Sequence, residues 1–508
     1  MIEVCSISRV RNIKNMVSYI RLLGSIFLVL AIFGCGAQFN KPSLLDETPI
    51  DYSSVLSDYI VELEKEPLQY ILLKKEKFSQ MEIYNYQLTS QHWSPDNFVS
   101  PAIWEHQVDI YIPHHPVSER ALLIINNGIN NGTFFTSPKA PTDFTPEVLE
   151  EIARSTKTVV IALSDIPNQY LTYRGDWRFL KEDESIAMSW SSFLQDPESR
   201  YTRPLYVPMV AAVSQAMTLA EKELQALKIK HFIVSGVSKR GWTTWLSAIA
   251  DSRVDAITPF VIDALNTRKV LGHMYKTYGN NWPIAFYPYY RFDLDKQLDT
   301  VPFFNLMNIV DPYRYLGTPY KSRLAIPKYI VNASGDDFYV PDNSSFYYDD
   351  LPGEKALRFA PNSNHHGILN FTKQSLIPFV NRVQKGISTP VLDISTEMTE
   401  RVQYVTVRFS EVPEKIVLWK AANPESRDFR YACRVRYMET PLHLSATGEV
   451  SVSLEIPSVG WQAAFIEATF KDGFVATTPV YILPKDIYPP IKIPPVHGLL
   501  CKFVHGRT

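Results

Sequence analysis

One serine of this 508-residue chain lies in a context that is typical of a catalytic nucleophile. An apolar run, 231–235, is followed at once by a turn that contains Gly236 and Ser238, and then by a helical pattern. A glycine two positions before the serine permits a sharp strand-to-helix turn, which projects the hydroxyl above a sheet for attack on a carbonyl group. Arg240 stands where a second glycine is usual, and Gly241 follows it. The alternative is that Ser238 only caps the following helix.

A serine nucleophile needs a general base, and the base needs an acid that fixes its tautomer. Asp336 and Asp337 directly follow a late predicted strand, and His365 lies on the loop after the next strand. The order Ser, Asp, His and the two loop positions are those of the α/β-hydrolases. We therefore predict a triad of Ser238, Asp336 and His365, with Asp337 as the alternate acid. Turn or cap positions for the acids and a surface position for the histidine are the alternatives.

The charge that develops on an attacked carbonyl oxygen is stabilised by N–H donors, which form the oxyanion hole. One donor is normally the backbone N–H of the residue after the nucleophile, here Lys239, and another lies on a loop after an earlier strand. Asn127 and Gly128 follow the apolar run 122–125 and suit that second position. An ordinary polar turn at the end of a strand is the alternative.

An aromatic-rich segment near 263–323 separates two late predicted strands and includes Trp282. This insert would either form a cap that lines a substrate pocket or pack its rings onto the rest of the domain. Arg174 and Arg240 offer positive charge to a substrate carboxylate, because a guanidinium forms bidentate contacts. Exposed, solvated arginines are the default alternative. The candidate pocket residues are therefore Arg174, Arg240 and Trp282.

The elements that must position these residues alternate between strands and helices. Seven apolar runs indicate buried strands: 108–112, 122–125, 158–163, 231–235, 257–262, 328–333 and 356–359. The runs are rich in Val, Ile and Leu rather than strictly alternating, as expected of parallel strands covered on both faces. Apolar residues at steps of three and four from 210 to 227 predict a helix that packs on the sheet. The pattern predicts an α/β fold with a mostly parallel sheet over residues 51–388.

The pattern changes after about residue 390. Short alternating runs without helices between them predict a small all-β sandwich over 391–488, with strands at 402–409, 415–420, 432–437, 450–456, 462–470 and 478–483. The last segment, 489–508, is a Pro-rich tail. The catalytic candidates all lie in the first of these two predicted domains.

The N-terminus is typical of a targeting segment. Residues 1–34 carry basic residues and then an uncharged stretch, 22–34, which is shorter than the roughly 20 residues that span a bilayer. Gly34 and Cys35 close the stretch in the manner of a bacterial lipoprotein signal, although Phe33 is bulkier than such signals prefer. We predict a signal peptide over 1–34, a lipidated Cys35, a tether over 35–50 and a position in the cell envelope. An uncleaved signal anchor is the alternative.

Composition excludes several classes of protein. Lys and Arg number 51 and Asp and Glu 53, a balance that argues against a nucleic-acid partner. Four cysteines are too few for a disulfide scaffold, although Cys433 and Cys501 are able to pair. No metal-ligand spacing and no Gly-rich phosphate loop after a strand is present, so we expect no metal site and no cofactor.

Several motifs resemble those of the PhoPQ-activated pathogenicity-related protein family. They are Thr89-Ser90-Gln91-His92-Trp93, Trp104-Glu105-His106, Ile166-Pro167-Asn168-Gln169, Glu182-Asp183-Glu184-Ser185-Ile186-Ala187, Ser238-Lys239-Arg240-Gly241-Trp242-Thr243-Thr244-Trp245, Gly335-Asp336-Asp337-Phe338 and Gly460-Trp461-Gln462-Ala463-Ala464-Phe465. The resemblance extends from about residue 50 to about 488. It implies an α/β-hydrolase fold, a peptidase-like or esterase-like triad at Ser238, Asp336 and His365, and a C-terminal β domain. It implies no particular substrate.

Two hypotheses for function follow. The first is an exported serine hydrolase that acts on a peptide or an ester and is held at the membrane through Cys35. The second is an envelope protein that retains the fold and serves in binding or signalling without catalysis, because a fold alone does not fix a function.

Overall fold

The continuous apolar runs form the middle of a nine-stranded sheet in the computed structural model, which describes residues 50–131, 136–491 and 501–507. In chain order the strands are β1 (Gln69–Lys77), β2 (Met81–His92), β3 (Val99–Ser100), β4 (Ile103–Pro113), β5 (Arg120–Ile125), β6 (Val159–Leu163), β7 (Leu171–Tyr173), β8 (Asp176–Leu180), β9 (His231–Val237), β10 (Val254–Phe260), β11 (Asn281–Pro283), β12 (Lys328–Ala333), β13 (Lys355–Ala360), β14 (Leu392–Met398), β15 (Val402–Phe409), β16 (Lys415–Asn423), β17 (Met438–Leu442), β18 (Glu449–Glu455), β19 (Trp461–Thr469), β20 (Val475–Thr477), β21 (Tyr481–Leu483) and β22 (Phe503–His505). The α-helices are α1 (Val55–Leu63), α2 (Pro146–Thr156), α3 (Glu182–Leu194), α4 (Tyr206–Glu223), α5 (Lys239–Ala250), α6 (Thr267–Thr277), α7 (Tyr287–Arg291), α8 (Val301–Val310) and α9 (Leu369–Lys385).

The central sheet has the strand order β1-β2-β4-β6-β5-β9-β10-β12-β13. The pairs from β6 through β5 to β13 are parallel, whereas β1, β2 and β4 are joined to one another and to β6 in antiparallel fashion. α-Helices connect the successive parallel strands except β12 and β13, between which only a short 3₁₀ turn, Asn343–Phe346, lies. This order, with the predicted nucleophile at the end of β9, is the α/β-hydrolase fold. The predicted fold class is confirmed.

Both faces of the parallel strands are buried, which explains their continuous apolar sequence. In β5, Leu123 faces a core that includes residues of α4 and α5, and its neighbours Leu122 and Ile124 face a second core with α2 and α9. Side chains alternate between the faces of a strand, so a strand covered on both sides must be apolar at every position. The sheet is thus packed on both faces by helices, and the loops at the carboxyl ends of its strands extend from this packed core.

The residues after β13 and α9 form two small antiparallel sheets. One has the order β14-β15-β18, and the other β17-β16-β19-β20 with β21 paired to β19. Val405, Val452 and Ile466 contribute to the apolar core between them, as a sandwich requires. The sandwich contacts the central sheet directly, since Phe359 N donates to Thr477 Oγ1 at 3.1 Å.

One strand predicted for the sandwich is wrong. Residues 432–437 do not form a strand; a short 3₁₀ turn, Tyr431–Cys433, lies there instead. Cys433 is joined to Cys501 by a disulfide, which brings the end of the Pro-rich tail back to the fold, where β22 pairs with β11. Residues from Ile50 onwards form one compact unit, which is not divided at the boundary near residue 390. The domain boundaries proposed from the sequence therefore stay predictions.

The predicted signal peptide, the tether to residue 49 and Cys35 lie outside the described residues. Among the helices that are described, none combines the length and the apolar composition needed to cross a bilayer.

Candidate active site

Ser238 lies at the sharp turn between β9 and α5, with φ +59° and ψ −125°. Few residues with a Cβ adopt such a backbone conformation, and it persists where the surroundings enforce it. A Cβ on Gly236 would lie 2.7 Å from the carbonyl carbon of Arg240, and one on Gly241 would lie 2.9 Å from Phe260 O. Gly241, which stands one position after the usual second glycine, therefore permits the close packing of α5 on β10. Gly236 makes room for the turn itself.

Ser238, His365 and Asp336 form one hydrogen-bonded chain. Ser238 Oγ lies 2.8 Å from His365 Nε2, and His365 Nδ1 lies 2.9 Å from Asp336 Oδ2 and 3.1 Å from Asp336 Oδ1. His365 and Asp336 are 5% and 4% exposed, and Ser238 is half-buried. Since an ionised carboxylate only accepts, Nδ1 carries the proton and Nε2 is free to accept from the serine hydroxyl. This arrangement is able to abstract a proton from Ser238.

Asp336, and not its neighbour Asp337, is the acid in hydrogen-bond contact with the imidazole ring of His365. Asp336 Oδ1 also accepts from Phe338 N at 2.7 Å and from Tyr339 N at 3.2 Å, so the backbone fixes the carboxylate. Asp337 Oδ1 is buried and, among the described residues, has no hydrogen-bond partner. Burial, and then the charge of Asp336, raise the pKa of Asp337 to about 6. The geometry thus favours Asp336 as the orienting acid.

The loop that carries Asp336 is supported from the C-terminal region. Gly335 O accepts from Tyr431 N at 3.0 Å, and Gly335 N donates to Ser363 O at 2.9 Å. A Cβ on Gly335 would lie 2.6 Å from Tyr431 N, so only glycine fits at this point. The segment that joins β16 to β17, two neighbouring strands of one sandwich sheet, therefore packs directly against the acid loop.

The charge of Asp336 sets the protonation of His365. Burial lowers the pKa of His365, but the charge and the hydrogen bonds of Asp336 outweigh burial and raise that pKa above its ordinary value of 6.5. A raised pKa makes the imidazole a stronger acceptor for the proton of Ser238.

Ser238 and His365 lie at the wall of a cavity of about 370 Å³. Its lining includes Asn127, Gly128, Ile129, Lys139, Ala140, Thr142, Asp143, Gln169, Lys181, Glu182, Asp183, Val237, Ser238, Lys239, Arg240, Phe338, His365 and His366. All three residues expected at the oxyanion hole are thus near the serine. Asn127 N already donates to Asn126 Oδ1 at 3.1 Å, which argues against Asn127 N as the second donor.

The three residues predicted for the substrate pocket have different positions. Arg240 lines the cavity, but its guanidinium is 4% exposed and paired with Glu182. Arg174 is exposed and is not part of the cavity lining. Trp282 is also not part of it: the ring is 2% exposed and stacks on Phe286 with centroids 4.7 Å apart. Trp282 thus lies outside this cavity because it packs into the core, and Arg174 because it lies in the exposed turn between β7 and β8. Their assignment to a substrate pocket stays a prediction.

Sequence reasoning missed the anionic residues of the cavity. Glu182 and Asp183 begin α3, and Lys239 Nζ lies 2.7 Å from Glu182 Oε2 and 3.3 Å from Asp183 Oδ2. The signal was present, since Glu182-Asp183 belongs to one of the family-like motifs, but nothing in the sequence joined that motif to Ser238. His366, next to the base, is exposed and lines the cavity.

One group of potential metal ligands occurs in the described part of the chain, Asp428 with Cys433 and Cys501. The two sulfur atoms form the disulfide, so they do not offer thiolates to a metal.

The chain is similar to known proteins over most of its length. A family model described as PhoPQ-activated pathogenicity-related protein matches residues 56–430. Autocrine proliferation repressor protein A of Dictyostelium discoideum is 27% identical over 444 residues, which are 82% of this chain and 86% of that protein.

Solved structures of esterases have a related chain trace. Acetyl xylan esterase from Paenibacillus sp. R4 has a TM-score of 0.46 at 16% identity, over 67% of this chain and 96% of that chain. Glucuronoyl esterase from Solibacter usitatus has a TM-score of 0.36 at 10% identity, over 65% of this chain and 91% of that chain. Likenesses of this size say nothing about the substrate of this chain.

Proposed function

The chain belongs to the PhoPQ-activated pathogenicity-related protein family, as its motifs predicted, and we propose that it is a serine hydrolase of peptide or ester bonds. The observation that carries the proposal is the unbroken chain from Ser238 Oγ to His365 Nε2 at 2.8 Å and from His365 Nδ1 to Asp336 Oδ2 at 2.9 Å, beside a cavity. A protein that only binds a ligand has no need of a strained serine with a base in hydrogen-bond contact.

In the proposed reaction, Ser238 Oγ attacks the carbonyl carbon of the substrate while His365 Nε2 takes the hydroxyl proton. Asp336 keeps the protonated Nδ1 facing it and stabilises the imidazolium that forms. The negative oxygen of the tetrahedral intermediate accepts from the N–H groups of Lys239 and Gly128. His365 then donates its proton to the leaving group, and a water molecule activated by the same imidazole hydrolyses the acyl-enzyme.

The start of α5 supports the oxyanion in a second way. Lys239 is the first residue of that helix, and the first N–H groups of a helix have no partner within it. The positive end of the helix dipole also points at the turn. The developing negative charge is thus stabilised by groups that are already oriented before substrate arrives.

We also propose that the protein acts outside the cytoplasm and is anchored through Cys35. The support is the lipoprotein-like pattern at 22–35 and the disulfide between Cys433 and Cys501, since disulfides form and persist in oxidising compartments.

The proposed reaction is tested by labelling with a fluorophosphonate probe, which reacts with activated serine nucleophiles and requires no knowledge of the substrate. The wild type is expected to label at a single site, and Ser238→Ala to abolish labelling. Ser453→Ala is the matched control, because Ser453 is an exposed serine of the sandwich strand β18. Mass analysis of the labelled peptide identifies the modified residue.

The histidine pair offers a second matched comparison. His365→Ala should remove nearly all labelling, and adding it to Ser238→Ala should change little, because members of a triad act as a unit. His366→Ala, one position away, should lose far less. A folded wild-type protein that does not label favours the alternative function, binding or signalling without catalysis.

A further inference from the structure

Glu182, the first residue of α3, lines the same cavity as Ser238. Its carboxylate contacts segments that are far apart in the sequence. Lys239 Nζ lies 2.7 Å from Glu182 Oε2, and Arg240 Nη1 donates to the same oxygen at 2.8 Å. The other oxygen, Oε1, accepts from Gln169 Nε2 at 2.8 Å. One carboxylate therefore joins the first turn of α5 to the loop after β6.

Gln169 continues these contacts to the loop after β5. Its Nε2 also donates to Gly128 O at 2.8 Å, and its Oε1 accepts from Glu182 N at 3.0 Å. Gly128 has φ +137°, and a Cβ there would overlap Asp165 Oδ1, so the loop has a backbone path open only to glycine. The side chains of Glu182 and Gln169 thus connect the carbonyl group of Gly128 to the side chains at the start of α5.

The connection is stabilised by ion pairs whose positive members, Lys239 and Arg240, are buried. The side chains of Lys239 and Arg240 are 7% and 4% exposed, so removal of the Glu182 carboxylate would leave two buried charges without this partner. Burial raises the pKa of Glu182, but the charges of Arg240 and Lys239 outweigh burial and hold that pKa well below its usual range. Glu182 also has φ +50°, which is uncommon for a residue with a Cβ. The carboxylate is therefore fixed in charge and position.

We propose that Glu182 is a positioning residue that sets the spacing between the two N–H donors of the oxyanion hole. The inference rests on the proposed function. The donors, the N–H groups of Lys239 and Gly128, belong to different elements. Glu182 is tied to the residues that carry them: it contacts the side chain of Lys239 directly, and through Gln169 it is joined to the carbonyl oxygen of Gly128. Such donors act only when they are held to about 0.5 Å of the productive geometry. Glu182 acts on the transition state through these two neighbours.

The test is the kinetics of fluorophosphonate labelling in Glu182→Gln and Gln169→Ala. The phosphonyl oxygen becomes negative in the transition state, so the maximal labelling rate reports on the oxyanion hole, and the half-saturating probe concentration reports on binding. We expect the maximal rate to fall about 10–100-fold in both variants, less than loss of a donor itself, with the half-saturating concentration unchanged. The final labelled fraction corrects for protein that is not folded.

Gln169→Ala keeps all the charges of the cluster, so it remains informative if Glu182→Gln fails to fold. The matched control is Asp251→Asn, which breaks the buried pair of Asp251 and Arg253, 2.7 Å apart, just beyond the opposite end of α5. The control should lower the melting temperature and leave the maximal rate unchanged.

Three outcomes overturn the inference. An unchanged maximal rate in Gln169→Ala removes the link to Gly128. A raised half-saturating concentration with an unchanged maximal rate makes Glu182 a binding residue. A wild-type protein that does not label refutes the proposed function, and this inference falls with it; the first two outcomes leave the proposed function standing.

Discussion

Replacing Asp336 by asparagine inverts the tautomer of His365. Oδ1 of Asp336 accepts from Phe338 N and Tyr339 N, at 2.7 and 3.2 Å, so the oxygen of an asparagine amide must occupy that position. The NH₂ group then takes the place of Oδ2, which lies 2.9 Å from His365 Nδ1. Because an NH₂ group is a donor and would stand at the shorter of the two contacts, 2.9 Å against 3.1 Å for Oδ1, we expect Nδ1 to become the acceptor and Nε2 to carry the proton. A protonated Nε2 cannot take the proton of Ser238.

The expected loss is about 10⁴-fold in the rate of reaction, as for loss of the orienting acid in other triads, which equals about 5 kcal/mol of activation free energy. Asp337→Asn is the matched control, since it is the same substitution at the adjacent residue, whose Oδ1 has no hydrogen-bond partner in the described chain. For Asp337→Asn we expect at most about a tenfold loss.

The assay is the second-order rate constant of fluorophosphonate labelling, with the fold checked by circular dichroism and thermal unfolding. A severe effect of Asp337→Asn with a mild effect of Asp336→Asn would mean that the acid is misassigned. If neither substitution changes the rate in folded protein, the reasoning from the tautomer of His365 is refuted.

Three further predictions follow from the same contacts. Because the pKa of His365 is raised above 6.5, its protonation begins at a higher pH than for an ordinary histidine, so the labelling rate should fall on the acid side with a midpoint above pH 6.5; a midpoint below that value contradicts the role of Asp336. Cys501→Ser opens a disulfide across a separation of 68 residues and should lower the free energy of unfolding by about 2–4 kcal/mol in denaturant titrations, an effect that a reductant should reproduce in the wild type. Cys35→Ser should move the protein from the membrane fraction to the soluble fraction, and equal partitioning of both forms argues against lipidation.

The parts of the fold that could be predicted are those whose sequence signal is local. Parallel strands such as β5 and β9 are apolar at successive positions because both faces are covered. The turn at Ser238 could be predicted because a glycine at position 236 is required by the local geometry of the turn itself. Asp336 and His365 could be predicted as site residues because, in this fold, the order of the strands along the chain determines which loops lie beside the serine.

The missed parts depend on contacts across long separations. Strand β1 lies at the edge of the sheet, and its short apolar run 70–73 is followed by the charged run 74–77. Ile71 is 62% exposed, so this run differs from those of the covered strands, which are buried on both faces. Glu182 meets Arg240 across 58 positions, and no local pattern links them. Residues 432–437 alternate in the manner of a strand, yet Cys433 is bound to Cys501, and a distant covalent partner leaves no mark on local periodicity.

The C-terminal region contacts the loop that carries the proposed orienting acid, Asp336. Tyr431 N donates to Gly335 O, one residue before Asp336, and Cys433, which follows closely, is tied by its disulfide to Cys501. An orienting acid is useful only if its carboxylate is fixed, because rotation of the carboxylate releases the tautomer of the histidine. The packing of Tyr431 against Gly335 limits such movement, since any residue larger than glycine would overlap it. The sandwich therefore belongs to the same functional unit as the sheet that carries Ser238, and its removal would expose a loop on which the proposed chemistry depends.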